Sequence, residues 1–120
     1  MNKREKGTNK ERLAAEYLQK HGMRITARNF RSRQGEIDII GYDEGYLVFV
    51  EVKYRSTRNK GSALEAVNLH KQRQICKVAD YYRCLHGLGD STPVRYDVAA
   101  LQGEEICWVK NAFPHIYVRG

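Results

Sequence analysis

Two short stretches carry charge where apolar strands would be expected to exclude it. GEIDIIG (35–41) sets Asp38 between Ile37 and Ile39, and FVEVKYR (49–55) sets Glu51 and Lys53 among valines and a phenylalanine. Residues two apart on a strand point the same way, so Glu51 and Lys53 project side by side. Asp43-Glu44-Gly45 between the stretches is a hairpin signal. A level register across that hairpin would bring Asp38 beside the pair. Two anions in an apolar setting repel each other and are poorly solvated. A hard divalent cation, Mg²⁺ or Mn²⁺, relieves this by taking their oxygens as ligands while keeping several waters. With a phosphate ester as substrate, such a cation acidifies a bound water and offsets developing charge. Lys53 would steady the attacking hydroxide or the pentacovalent transition state. This is the chemistry of phosphodiester hydrolysis.

The elements that must position these groups are legible in outline. A helix is expected from Thr8, an N-cap with Glu11 three residues on, to Lys20, with Gly22 stopping it. Leu13, Ala14, Tyr17 and Leu18 form its apolar stripe. Glu11 precedes Ala14, Ala15 and Leu18 by helical spacings and so lies near that stripe, whereas Glu16 turns toward Arg12 and Lys20. Strands are expected at 24–30, 36–41 and 46–53. A long helix at 63–85 has the stripe Leu64, Val67, Ile75, Val78 and Tyr82, and Gly87 and Gly89 end it. Lys71 falls on that stripe and needs either a long reach to water or an anionic partner, a carboxylate or a phosphate. Strands at 95–101 and 105–109 complete the order αβββαββ. Strand, helix, strand implies a right-handed crossover and a parallel pair. The expected fold class is α/β, one unit over 1–120 with a mixed central sheet flanked by helices. The ends, about 1–7 and 115–120, are expected to be mobile tails.

The chain of 120 residues has 21 basic and 14 acidic side chains, a net charge of +7. That balance favours an anionic partner, nucleic acid before others. The basic run KYRSTRNK follows the Glu51 strand directly, and Arg55, Arg58 and Lys60 are read as phosphate contacts. Lys71 and Arg33 join them, since RITARNFRSR with its four arginines could line the same groove. Tyr42 and Tyr54 either stack on bases or pack. Glu36 shares the face of Asp38 on a regular strand. It supports the metal ligands, binds a second metal, or pairs with an arginine such as Arg33 or Arg95, and Arg95 would then stand beside the site. Asp97 reads as the structural partner of a basic residue. Three cysteines, an odd number without a CxxC, indicate neither disulfides nor zinc. Cys76 and Cys107 read as buried, reduced thiols. The four histidines show no metal-ligand spacing. No apolar run approaches the ~18 residues of a membrane span, and the polar first residues lack the apolar centre of a signal peptide. A cytoplasmic protein with no membrane partner is expected.

GEID, twelve residues and then EVK resembles the D…ExK signature of the PD-(D/E)XK nuclease superfamily, which includes type II restriction enzymes and archaeal Holliday-junction resolvases. The chain is more closely similar to the bacterial YraN-like family over most of its length. Gly7, Glu11, Ala14, Tyr17 and Leu18 match that family's GxxxE…A…YL helix, and residues 35–53 match its GEIDII…VFVEVK core. Lys71 matches its later lysine helix, Arg95, Tyr96, Asp97 and Val98 its R(F/Y)DV strand, and Asn111, Ala112 and Phe113 its closing NAF. Ile37 stands where the superfamily name has proline. The resemblance implies a restriction endonuclease-like αβββαβ core, with Asp38, Glu51 and the main-chain carbonyl of Val52 as metal ligands. It implies Lys53 as the catalytic lysine and Glu11 as the helical acidic residue of the resolvase-like branch. A homodimer is in keeping with it, because two scissions need two sites. The expected function is Mg²⁺- or Mn²⁺-dependent endonucleolytic hydrolysis of DNA, branched or structured DNA included. A catalytically silent nucleic-acid-binding module and a non-catalytic adaptor for an acidic protein are the other readings that the charge admits.

Overall fold

The alternation within one strand decides how the molecule is layered. In the computed structural model, which describes residues 3–55 and 67–117, with side chains for 9–54 and 67–117, that strand is Tyr46–Arg55. Leu47 and Phe49 enter one apolar cluster, and Val48, Val50 and Val52 enter another on the opposite face. A strand buried on both faces needs a cover on each. The elements run α1 (Lys3–Lys20), β1 (Arg24–Ser32), β2 (Gly35–Asp43), β3 (Tyr46–Arg55), α2 (Leu69–Leu85), β4 (Val94–Gln102) and β5 (Glu105–Phe113). Helix α1 covers the Val48 face through Ala14, Ala15 and Leu18. Helix α2 covers the Phe49 face through Ile75, Val78, Ala79 and Tyr82.

The five strands lie in the order β1-β2-β3-β4-β5, antiparallel except for the parallel pair β3–β4 that α2 connects. The fold is thus α/β, a mixed sheet flanked by two helices. The hairpin between β2 and β3 turns at Glu44 and Gly45, both with positive φ (54° and 84°), the twist that a two-residue hairpin requires. The Met23 N–H reaches back to the Leu18 carbonyl at 2.9 Å, with Gly22 at φ 110°, so the glycine ends α1 as expected. No described helix is long and apolar enough to cross a membrane.

Several boundaries differ from expectation. Helix α1 begins at Lys3, so it runs through Thr8 instead of being capped there. Helix α2 begins only at Leu69, because the Asn68 carboxamide oxygen accepts the Lys71 N–H at 2.9 Å and caps it. Val67 therefore packs in the core from outside the helix, and residues 63–66 lie outside the described residues. Strand β5 extends to Phe113, which pairs with Tyr96 and stacks on its ring. His115 and Ile116 then pack against the body, with the Tyr96 hydroxyl 2.6 Å from His115 Nδ1 and the Ile116 N–H on Cys76 Sγ, while Tyr117 is exposed. Cys76 is buried, but Cys107 is exposed on the edge strand β5. Ile106 and Trp108 on either side of it pack toward the α1-side cluster, so alternation turns Cys107 away.

Candidate metal and phosphate site

The sheet forks. Pairing between β2 and β3 runs from Asp43–Tyr46 to Ile39–Val50 and goes no further. Beyond that point β2 stays with β1, and β3 stays with β4. The next pair would have been Asp38 and Glu51. Instead the Asp38 carboxylate accepts the Val52 N–H through Oδ2 at 2.8 Å, replacing a ladder bond with a side-chain one. Ile37 packs in the α2-side cluster and Ile39 in the α1-side cluster. Regular alternation would put both on one face, so β2 twists at Asp38.

Groups from both helices enter this fork. Glu11 of α1 and Glu36 of β2 can each bring an oxygen within 4.8 Å of one on Asp38 and of each other. Glu51 lies within hydrogen-bonding reach of Asp38. Lys53 Nζ stands 3.7 Å from Glu51 Oε1, and Lys71 Nζ of α2 stands 3.9 Å from Glu51 Oε2. Of the alternatives that its place on the apolar stripe left, Lys71 thus has a carboxylate neighbour.

Three of these carboxylates, Glu11, Asp38 and Glu51, are displaced upward in pKa. Glu51 is 7% exposed. Burial above all, and then the Asp38 charge, pushes its pKa up to about 7 despite Lys71 and Lys53. Burial likewise raises the pKa of Asp38, opposed by the Val52 N–H, with Glu36 adding to the rise. Glu11 is raised by partial burial and by Asp38 and Glu36, against the pull of Arg28. Such mutual displacement is characteristic of sites arranged to hold charge. The donor set is oxygen only, which fits Mg²⁺ or Mn²⁺ and not a metal that prefers thiolate or imidazole. Glu11, Glu36 and Asp38 are the residues that would hold such an ion, and Glu51 stands beside Asp38 outside that group. Val52, expected to offer its carbonyl, also gives its N–H to Asp38.

Other expected site residues are placed differently. Glu36 pairs with Arg31 (3.7 Å), which stands directly across from it on β1, and not with Arg33 or Arg95. Arg33 is exposed on the β1–β2 turn. Arg95 does not stand beside the site. It aligns with Val48, three residues before Glu51, or about 10 Å along the strand. There Nε and a terminal nitrogen grip Asp97 at 2.9 and 2.8 Å, and that terminal nitrogen also reaches Asp43 at 2.7 Å. Asp97 is fully buried and also accepts from the Trp108 indole and the Asn111 N–H, so it is the structural partner that its sequence suggested. Tyr42 lies under Arg24, and Tyr54 under Lys10. The side chain of Arg55, and Arg58 and Lys60 entirely, lie outside the described residues.

One residue at the fork escaped the sequence reading. Asn29 of β1 has a left-handed backbone (φ 53°). Its amide, oriented so that each atom meets a complementary partner, donates to Glu11 Oε2 at 2.6 Å and Glu36 Oε1 at 3.1 Å. An asparagine inside a strand pattern, where its type is depleted, was the available signal.

Comparison with known proteins identifies the lineage. Uncharacterised protein family UPF0102 matches residues 10–101, a span from Lys10 through Leu101 that contains Glu11, Asn29, Glu36, Asp38, Glu51, Lys53 and Lys71. A UPF0102 protein of Lachnoclostridium phytofermentans is 51% identical over 113 residues, 94% of this chain and 96% of its own. One from Aliivibrio fischeri is 46% identical over 114 residues (92% and 93%), and one from Legionella pneumophila 40% over 111 (91% and 94%). The chain belongs to the uncharacterised protein family UPF0102.

Proposed function

We propose that this protein is a divalent-metal-dependent nuclease that hydrolyses phosphodiester bonds in DNA. The observation that carries the reading is the fork itself. It brings Glu11, Glu36 and Asp38 together from α1 and β2, with Glu51 of β3 against Asp38 and Lys53 against Glu51. Arg95 grips Asp97 at 2.8 Å, whereas the cations beside Glu36 and Glu51 stand 3.7–3.9 Å away. Glu11, Asp38 and Glu51 remain displaced upward, Glu51 to about 7.

A bound Mg²⁺ or Mn²⁺ would supply an acidified water and electrostatic stabilisation of the phosphoryl group. The chain's own residues do the rest. Asp38, tied to the Val52 N–H, is fixed relative to β3. Lys53, 24% exposed, holds an ammonium beside Glu51, where it can donate to a phosphate oxygen and hold the attacking hydroxide. Lys71 tempers the Glu51 charge from the α2 side. The test is a panel of labelled linear, flapped and four-way DNA incubated with Mg²⁺ or Mn²⁺ and with a chelator. Cleavage that needs the cation is expected. Salt-dependent binding without any cleavage would favour the silent binding module instead.

Exposed arginines beside the fork support DNA as the partner. Arg31 is 78% exposed at the side-chain level, and Arg33 follows it on the turn. If they contact phosphates, Arg31→Ala with Arg33→Ala should weaken duplex binding across all sequences. It should also make the slope of log affinity against log salt shallower by about 2. Binding measured by fluorescence anisotropy over a salt series checks this, and an unchanged slope would exclude the two arginines from the interface.

A further inference from the structure

Asn29 is left over when the catalytic reading is complete. Its backbone adopts φ 53° in the middle of an edge strand, a conformation that asparagine tolerates better than most side chains but that no strand requires. The ladder marks the same point. Arg28 pairs with Ile39 and Phe30 with Ile37, whereas residues 29 and 38 skip their pairing. The irregularity thus lies directly across from Asp38. Its consequence is visible in the side chain. The amide nitrogen lies 2.6 and 3.3 Å from the two Glu11 oxygens and 3.1 Å from Glu36 Oε1. One amide with two N–H donors therefore joins a carboxylate of α1 to a carboxylate of β2.

We propose that Asn29 is a positioning residue that holds Glu11 and Glu36 together as cation ligands. This rests on the reading that the fork binds a divalent cation. The choice of an amide matters. An arginine or lysine at this place would also draw the two carboxylates together, but it would cancel their charge and compete with the incoming ion. The amide is neutral. It donates to one oxygen of each carboxylate and leaves the cluster its negative charge. Two carboxylates that would otherwise repel each other are fixed before the ion arrives. Groups that orient ligands without touching the metal typically contribute 10–100-fold to affinity.

Glycine separates the two roles, because it accepts a positive φ without strain while deleting the amide. Titrating Mn²⁺ alone into the full-length protein by calorimetry, Asn29→Gly should bind about tenfold more weakly than wild type. The melting temperature of its metal-free form should be essentially unchanged. Glu11→Gln run in parallel should also bind more weakly. Asn29→Gly affinity equal to wild type, with Glu11→Gln weakened, would overturn the role of Asn29 and leave the cation site standing. A weaker affinity accompanied by a clear drop in metal-free melting temperature would mean that Asn29 is only structural. No binding heat in wild type would overturn the cation site and this inference together.

Discussion

Lys53→Met is expected to slow cation-dependent DNA cleavage by roughly 10²–10³-fold, the scale of removing one group that acts on the transition state. Methionine keeps the length and the packing of the aliphatic stem and deletes only the ammonium. That ammonium lies 3.7 Å from Glu51 Oε1, too far for a strong hydrogen bond. It is a charge placed beside the ligand cluster, not one consumed by it. Its loss should therefore leave Mn²⁺ affinity unchanged or slightly tighter, because one competing positive charge has gone. The two readouts separate roles. A catalytic lysine changes the single-turnover rate at saturating metal, whereas a merely structural one changes folding or metal affinity. Full activity in Lys53→Met would remove this residue from the chemistry.

Glu51→Gln is expected to stabilise the metal-free protein at alkaline pH. The folded protein holds the Glu51 proton up to about 7, whereas an unperturbed glutamate releases it near 4.5. Between those values the native state binds a proton that the unfolded state has lost. The stability of wild type accordingly falls as pH rises through that window and stays lower above it. A carboxyl displaced this far is worth on the order of 3 kcal/mol. Because Asp38 shares the same charge, the transition belongs to the pair. Glutamine has no proton to release. Glu51→Gln should melt roughly 10 °C higher than wild type at pH 8, with little difference at pH 4. Saturating Mg²⁺ should raise the wild-type melting temperature at pH 8 and raise that of Glu51→Gln less. Parallel melting curves across pH would show that Glu51 titrates normally and is not held in a repelling cluster.

Much of this arrangement could be read from local pattern. The alternation of Val48, Val50 and Val52 with Phe49, Glu51 and Lys53 is a property of any strand, and the structure buries both faces accordingly. The Asp43-Glu44-Gly45 turn, the parallel β3–β4 pair and the inward lean of Glu11 follow from equally local rules. What stayed hidden depends on contacts between distant segments. The fork beyond Ile39–Val50 exists because Asp38 takes the Val52 N–H, and no periodicity encodes a missing ladder pair. Arg95 looked available to the site, but the parallel register sets it against Val48, where Asp97 and Asp43 hold it. Asn29 is an unremarkable letter between Arg28 and Phe30 until its positive φ and the convergence of Glu11 and Glu36 are seen together. The late start of α2 has the same kind of cause: only the Asn68–Lys71 cap distinguishes it from the longer helix that the apolar stripe suggested.

The central claim is that the forked sheet holds a divalent cation on Asp38 and its neighbouring glutamates. Calorimetric titration of Mn²⁺ into wild type and into Asp38→Asn at pH 8 addresses it most directly. Asparagine retains an oxygen for the Val52 N–H, so the fork should persist while the charge shared by all the candidate ligands is lost. A saturable binding heat in wild type that disappears in Asp38→Asn is the predicted result. An absence of binding heat in wild type, or an identical isotherm in both proteins, would contradict the account.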